Sequence, residues 1–152
     1  MKKITIVSAV VAALAVGTII VVAQMSHGGK FANHFQGFAE HHEKIVEHLA
    51  TELKMTNAQV TQAKQIIADA KPRFEPLFER LKEAHKASGD LGVNGTFDEQ
   101  KAQESAVRQA EVVKQIVVEM ERTKAALFAI LTPEQREQAK RVMNDFVENF
   151  NH

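Results

Sequence analysis

Apolar residues recur at intervals of three and four over most of the chain beyond residue 30, and this spacing is the strongest constraint on its fold. The spacing places apolar side chains along one side of an α-helix. It runs through four stretches: about 30–53, about 57–87, from Thr96 to Leu131, and from Pro133 to about Phe150. No alternating pattern typical of strands competes with it. The sequence predicts an all-α protein of four amphipathic helices.

The second predicted helix contains two prolines, Pro72 and Pro76. Each removes a backbone donor and clashes with the preceding turn, so the helix should bend near Lys71 to Pro76 or break there into two. The Gly-rich residues 88–95 predict the main loop. The second and third helices are therefore expected to form a long, bent helical hairpin.

The third predicted helix has a stripe that changes along its length. Its first half is narrow and rich in Ala, with Ala102, Ala106 and Ala110 in the stripe, whereas the apolar face is wider in the middle, where it comprises Val112, Val113, Ile116, Val117 and Met120. Small residues permit close approach of another helix. Stripes on helices of thirty residues exceed what a monomer of this size can cover, so they predict a symmetric dimer.

The N-terminus has the order of an export signal: Met1-Lys2-Lys3 is followed by uncharged residues from Ile4 to Ala23. We expect cleavage after Ala23. The alternative is an uncleaved anchor in the inner membrane, because twenty uncharged residues would just span a bilayer. The predicted organisation is an export signal at 1–23, a His-rich N-terminal helix at 24–54 and a helical domain at 55–152, the last two forming one structural domain.

Composition excludes several classes of protein. The chain has no Cys, so it has no disulfide, no thiol nucleophile and no cysteine-ligated metal. Lys plus Arg (19) equals Asp plus Glu (19), which argues against a nucleic-acid partner. The sequence carries no hydrolase, dinucleotide-binding or redox motif. It predicts a protein that is not an enzyme.

Three predicted helix starts share a capping box, in which a Thr hydroxyl accepts from the amide three residues on and a Gln or Glu reaches back to the Thr amide. The pairs are Thr56 with Gln59, Thr96 with Glu99, and Thr132 with Gln135. Each cap should stabilise its helix by about 1 kcal/mol.

Two of these starts carry a resemblance to a known family. Leu131-Thr132-Pro133-Glu134-Gln135 reads Leu-Thr-x-x-Gln, and Met55-Thr56-Asn57-Ala58-Gln59 is the same motif with Met for Leu. This doublet, behind an export signal in an all-helical chain, resembles the Spy/CpxP family of periplasmic proteins from about Met55 to Phe150.

The resemblance implies a fold and a function. It implies a cradle-shaped homodimer of bent helices whose concave surface holds unfolded or partly folded clients without ATP, as part of a stress response. Related members instead restrain a sensor kinase or bind zinc. The expected partners are therefore unfolded client proteins and a second copy of the chain, with a sensor kinase as the alternative.

The histidines of the first helix suggest a site, but their spacing is poor for a metal. His34, His41 and His48 are seven residues apart, which separates their rings by about 10 Å along a helix. We favour a weakly basic helix flank with His42 packed at an interface, and no cofactor. The alternative is a zinc site formed by His41, His42, His48 and Glu52 with a further ligand from elsewhere.

The segment around the predicted bend combines positive charge with apolar side chains. Its candidate client-binding residues are Lys71, Arg73, Phe74, Phe78, Arg80 and Lys82. Charge would guide the encounter and apolar groups would supply contact. The competing interpretation is that Phe74 belongs to the core stripe and that the Lys and Arg side chains form a solvated back face.

Overall fold

The computed structural model describes residues 46–47, 49–89 and 95–150, and the side chains of these residues up to 144 except that of residue 89. It contains three long helices: α1 (Asn57–Gly89), α2 (Glu99–Ala129) and α3 (Pro133–Phe150). Helical residues 46–47 and 49–52, which we call the entry segment, precede α1. The described residues form no strand. The prediction of an all-α fold is confirmed.

Helix α1 runs without interruption through Pro72 and Pro76. Both prolines are exposed, and their spacing of four places them on one side of the helix. Water can therefore reach the carbonyls that lose a partner, while the opposite side of the same turns packs against α2 through Ala70, Phe74 and Leu77. The helix does not break, and a bend at this point stays a prediction.

Helices α1 and α2 form an antiparallel hairpin with a shared core. As residue numbers increase along α1, the residue numbers of their contacts on α2 decrease: Arg73 contacts Glu119, Arg80 contacts Gln115, and Ser88 contacts Gln109. The core lies along this seam, with Ile116 fully buried at its centre. Its buried members are Ala70, Phe74, Leu77, Leu81, Val112, Ile116 and Met120.

Only part of the apolar face predicted for the third helix meets α1: Val112, Ile116 and Met120 are buried in the shared core, and Val113 is partly buried against it. The buried residues of α2 are Ser105, Val112, Ile116, Met120 and Thr123. Ala106 and Ala110 are exposed, and Val113 and Val117 are half-buried. Because α2 has two adjacent apolar sides, its sequence alone did not decide which of them packs against α1.

The start of α2 differs from the predicted capping box at Thr96. The N-cap is Asp98, whose carboxylate accepts from the Lys101 backbone N–H at 3.1 Å. Asp is as good an N-cap as Thr or better, and its carboxylate also pairs with the Lys101 ammonium at 3.2 Å. The helix therefore begins at Glu99, and the expectation of a Thr96–Glu99 box is wrong.

The export signal, its cleavage site and the histidines of the first helix lie outside the described residues. Within the described part of the chain, no helix is both long and apolar enough to span a membrane.

Candidate functional site

Both copies of the Leu-Thr-x-x-Gln motif form capping boxes at helix starts. At α1, the Thr56 N–H donates to Gln59 Oε1 at 2.9 Å, and the Gln59 N–H donates to Thr56 Oγ1 at 3.3 Å. At α3, the Thr132 N–H donates to Gln135 Oε1 at 2.9 Å, and the Gln135 N–H donates to Thr132 Oγ1 at 3.3 Å. Each motif therefore satisfies backbone donors that a helix start leaves without partners.

The two motifs also bind each other through their glutamines. Gln59 Nε2 donates to Gln135 Oε1 at 2.7 Å, and Gln135 Nε2 donates to Gln59 Oε1 at 3.2 Å. Gln59 Nε2 further donates to the Ile130 carbonyl at 2.7 Å, and Gln135 Nε2 to the Leu53 carbonyl at 3.1 Å. Each glutamine thus caps its own helix and binds the backbone that leads into the other motif. We call this arrangement the glutamine pair.

The first motif residues play a different role, because they pack. Leu131 is buried with Leu53 and Ala139, and Met55 is partly buried against the same cluster. An apolar cavity lies at this end of the hairpin, lined among others by Leu49, Leu53, Met55, Phe128, Leu131 and Ala139. The Thr and Gln residues of each motif cap the helix start by hydrogen bonds. The Leu or Met residue of each motif packs in the apolar cluster.

The entry segment ends in a Schellman motif. The Met55 N–H donates to the Ala50 carbonyl at 2.9 Å, and the Lys54 N–H donates to the Thr51 carbonyl at 3.3 Å. Lys54 takes the left-handed backbone conformation there, with φ of 50°, where glycine is favoured. The carbonyls of Leu53 and Lys54 both accept from Gln135. The strained turn is therefore held by the second motif.

The candidate client-binding residues occupy different parts of the hairpin. Phe74 is in the core, and half-buried Phe78 stacks on it with ring centroids 5.9 Å apart. Arg73 Nε binds Glu119 Oε2 at 2.9 Å, and Arg80 Nη1 binds Gln115 Oε1 at 2.9 Å. The two lysines pair along α1: Lys71 lies 3.7 Å from Glu75, and Lys82 lies 3.3 Å from Glu79.

The arginines and the lysines lie on opposite sides of the hairpin. A helix turns by about 100° per residue, so Lys71 and Lys82 project about 160° away from Arg73 and Arg80, respectively. Val113 and Val117 of α2 lie on the side opposite Gln115 and Glu119 for the same reason. Phe78 and Val113 are both partly buried against the same core.

We name these two surfaces by their residues. The apolar face comprises Lys71, Phe78 and Lys82 of α1 with Ala106, Ala110, Val113 and Val117 of α2. The polar face comprises Arg73 and Arg80 of α1 with Glu111, Gln115, Glu119 and Arg122 of α2. The sequence of α1 alone does not predict this division, because it depends on which side of each helix packs against the other.

Charges on the polar face are closely paired. Glu119 binds both Arg73 and Arg122, and its side chain is only 14% exposed. The hydrogen bond from Gln115, and then the Lys114 ammonium, lower the pKa of the Glu111 carboxyl. The arginines of this face are therefore engaged with α2.

The proposed metal ligands fall mostly outside the described residues. His41, His42 and His48 are not described, and Glu52 is half-buried with its backbone carbonyl accepting from Gln138 Nε2 at 2.5 Å. In the part of the chain that the structure covers, no group of three or more His, Asp or Glu side chains is arranged to hold a metal ion.

Comparison with known proteins completes the description of the two motifs. No curated protein and no solved structure matches the chain. The family model described as LTXXQ motif family protein matches residues 41–143, which is more than half of the chain. The match begins fourteen residues before Met55 and so includes the end of the His-rich stretch. Because it spans both motifs and both helices of the hairpin, the chain belongs to the LTXXQ motif family.

Proposed function

We propose that the protein is a periplasmic, ATP-independent chaperone that binds unfolded or partly folded envelope proteins and suppresses their aggregation. The apolar face of the hairpin carries this proposal. It combines the apolar side chains of Ala106, Ala110, Val113 and Val117 with the ammonium groups of Lys71 and Lys82. Such a surface offers weak apolar contact and charge. Membership of a family of Spy/CpxP-type proteins supports the same function.

The division of charges between two faces makes this proposal testable with matched variants. Lys71→Ser with Lys82→Ser removes two cations from the apolar face, whereas Arg73→Ser with Arg80→Ser removes two from the polar face. Each pair lies on the same turns of α1. If clients bind the apolar face, the lysine variant should suppress aggregation less well, and the arginine variant should retain suppression under conditions in which it stays folded.

The assay uses a denatured client and no nucleotide. The unmodified protein should suppress aggregation at a near-stoichiometric ratio, and suppression should weaken as salt rises, because charge attraction beyond about 8 Å is screened at physiological ionic strength. Absence of suppression for several unrelated clients would reject the chaperone function. Equal losses in the lysine and arginine variants would instead reject the assignment of the binding face.

The alternative within the same family is a metal-responsive or kinase-regulating accessory protein. It predicts tight, stoichiometric zinc binding in a calorimetric titration, lost on replacing His41, His42 and His48. We propose that no cofactor is needed for chaperone action, so a chelator should leave the suppression of aggregation unchanged.

A further inference from the structure

We propose that Met55 is an oxidation site: a peroxide converts its thioether to the sulfoxide, and the sulfoxide releases the entry segment from the end of the hairpin that holds both motifs. We call this end the motif end. The first motif has Met55 at the position where the second has Leu131. The inference goes beyond the proposed function and does not depend on it, because it concerns the stability of the motif end and involves no client.

The reaction at the Met55 sulfur is a two-electron oxidation. A sulfur lone pair attacks one oxygen of hydrogen peroxide, the O–O bond breaks, an S–O bond forms and, after transfer of a proton, water leaves. The sulfur is oxidised and the peroxide is reduced, so the balance needs no further reactant. The product replaces a flexible apolar side chain by a polar one. The chain has no Cys, so no thiol competes for the oxidant.

The accessibility of Met55 sets it apart from the methionine of the hairpin core. Met55 is half-buried, whereas Met120 is 8% exposed and packs in the shared core of α1 and α2. Leu131, at the equivalent position of the second motif, is 7% exposed and carries no sulfur. Because the oxidant has to reach the sulfur, peroxide should oxidise Met55 before Met120.

Met55 is partly buried against two apolar clusters, and each cluster contains one buried residue of the segment that precedes it. Val46 belongs to the first cluster and Leu53 to the second. The other buried members of the two clusters are Ala63, Ile67, Leu131 and Ala139. Displacement of the Met55 side chain therefore removes packing from both apolar contacts that hold this segment on the hairpin.

The surroundings of Met55 are poor in groups that bind a sulfoxide oxygen. Met55 lines the apolar cavity of the motif end, and among the described residues of that lining only Lys124 has a side-chain donor. The Lys124 ammonium pairs with Glu121. The amides of the glutamine pair already donate to each other and to backbone carbonyls. Since a buried acceptor without a donor is costly, the sulfoxide is more stable where its oxygen reaches water.

The backbone of Met55 transmits this displacement to the entry segment. The Met55 N–H donates to the Ala50 carbonyl at 2.9 Å in the Schellman motif, and Lys54 before it has the left-handed conformation. On the other side, the capping box with Gln59 holds Thr56 at the start of α1. The turn before Met55 therefore yields first, and the last turn of the entry segment opens.

Met143 is the competing oxidation site. It is half-buried and lines the same cavity. We assign the effect to Met55 because the clusters that contain Val46 and Leu53 include Met55 and not Met143. Oxidation of Met143 would place a polar group on α3 without breaking the Schellman turn.

Hydrogen exchange after treatment with hydrogen peroxide tests the proposal. Peptide mass spectrometry should find Met55 oxidised faster than Met120. In the oxidised protein, the amides of residues 53–55 should exchange about tenfold faster, because their hydrogen bonds close the entry segment. The amides of residues 112–120 should keep their rates. Unchanged exchange at residues 53–55 in protein fully oxidised at Met55 would overturn the proposal.

Reversal by enzyme separates the sulfoxide from irreversible damage. Methionine sulfoxide reductases specific for the two sulfoxide epimers should restore the original exchange rates at residues 53–55. Rates that stay high after Met55 has been fully reduced would attribute the opening to another change in the protein and would contradict the proposal.

Substitutions at position 55 identify the residue responsible. Met55→Leu copies the second motif and cannot be oxidised there, so peroxide should leave its exchange at residues 53–55 unchanged. Met55→Gln places a polar side chain of similar length at the same position and should accelerate this exchange several-fold without peroxide. Met143→Leu is the matched control and should keep the full response. A response abolished by Met143→Leu and retained by Met55→Leu, or normal exchange in Met55→Gln, would overturn the assignment.

Discussion

Gln59 and Gln135 exchange two amide hydrogen bonds, of 2.7 and 3.2 Å, across 76 positions of sequence. Each side chain also accepts from the backbone N–H of the Thr at its own helix start. The two motifs are therefore one structural unit, which joins the starts of α1 and α3 at one end of the hairpin.

The glutamine pair predicts a measurable coupling. Gln59→Ala and Gln135→Ala should each lower the free energy of unfolding by about 2 kcal/mol, since each removes a cap and a bond to the other motif. Both single variants lose the same hydrogen bonds between Gln59 and Gln135. The destabilisation of the double variant should therefore be about 1 kcal/mol smaller than the sum of the two single destabilisations. Urea unfolding of the four proteins measures this. Strict additivity would show that the pair contributes nothing beyond the two caps.

A related prediction separates capping from function. Thr132→Ala with Gln135→Ala should lower the melting temperature while leaving suppression of aggregation intact in the folded protein, because these side chains already bind backbone groups and Gln59 within the protein. Loss of suppression with an unchanged melting temperature would instead make the motif a contact surface.

The left-handed backbone at Lys54 predicts a stabilising substitution. Lys54→Gly should raise the free energy of unfolding by about 1 kcal/mol, because glycine adopts a φ of 50° without the steric cost that a side chain brings. Lys54→Ala is the matched control: it removes the charge but keeps the Cβ atom, and it should change stability little. An equal gain in both variants would attribute the effect to the charge.

The N-cap of α2 predicts a dependence on pH. The backbone hydrogen bond from Lys101, followed by that from its side chain, lowers the pKa of the Asp98 carboxyl. A carboxyl with a lowered pKa in the folded state stabilises the protein above its unfolded pKa, and this contribution is lost as pH falls through the folded pKa. The control is Asp98→Asn, which keeps a good cap that does not titrate.

Urea unfolding at several pH values compares the unmodified protein with this variant. The stability advantage of the unmodified protein should shrink as pH falls between about pH 5 and about pH 2. An advantage that stays constant over this range would show that the Asp98 charge does not stabilise the start of α2.

The ion pairs of Glu119 predict a difference between two similar residues of α2. Glu119→Ala should cost about 1 kcal/mol, since this carboxylate is 14% exposed and holds Arg73 of the other helix. Glu104→Ala removes a carboxylate that is 52% exposed and whose partners lie on its own helix: Arg108 at 4.0 Å and Gln100 Nε2, which donates to it at 3.0 Å. Its effect should stay within about 0.5 kcal/mol. Thermal unfolding compares the two, and equal costs would mean that the contact with Arg73 does not stabilise the hairpin.

The sequence by itself determined the helices, because their stripes, caps and loop are local. The starts of α1 and α3 follow from Thr56 with Gln59 and from Thr132 with Gln135, whose hydrogen bonds span three residues. The continuity of α1 through Pro72 and Pro76 did not follow from local sequence, since packing of Ala70, Phe74 and Leu77 against α2 offsets the cost of the prolines.

Only the tertiary structure decided how these helices combine. It buried Val112 and Ile116 against α1 and left Val113 and Val117, on the adjacent side, half-buried. It thereby placed the arginines and the lysines of α1 on opposite faces, and it brought Gln59 to Gln135. The physical reason is the same in each case. A helix with two adjacent apolar sides can bury either of them, and a side-chain amide can donate to any of several acceptors. Contacts between distant parts of the chain determine which of these arrangements forms.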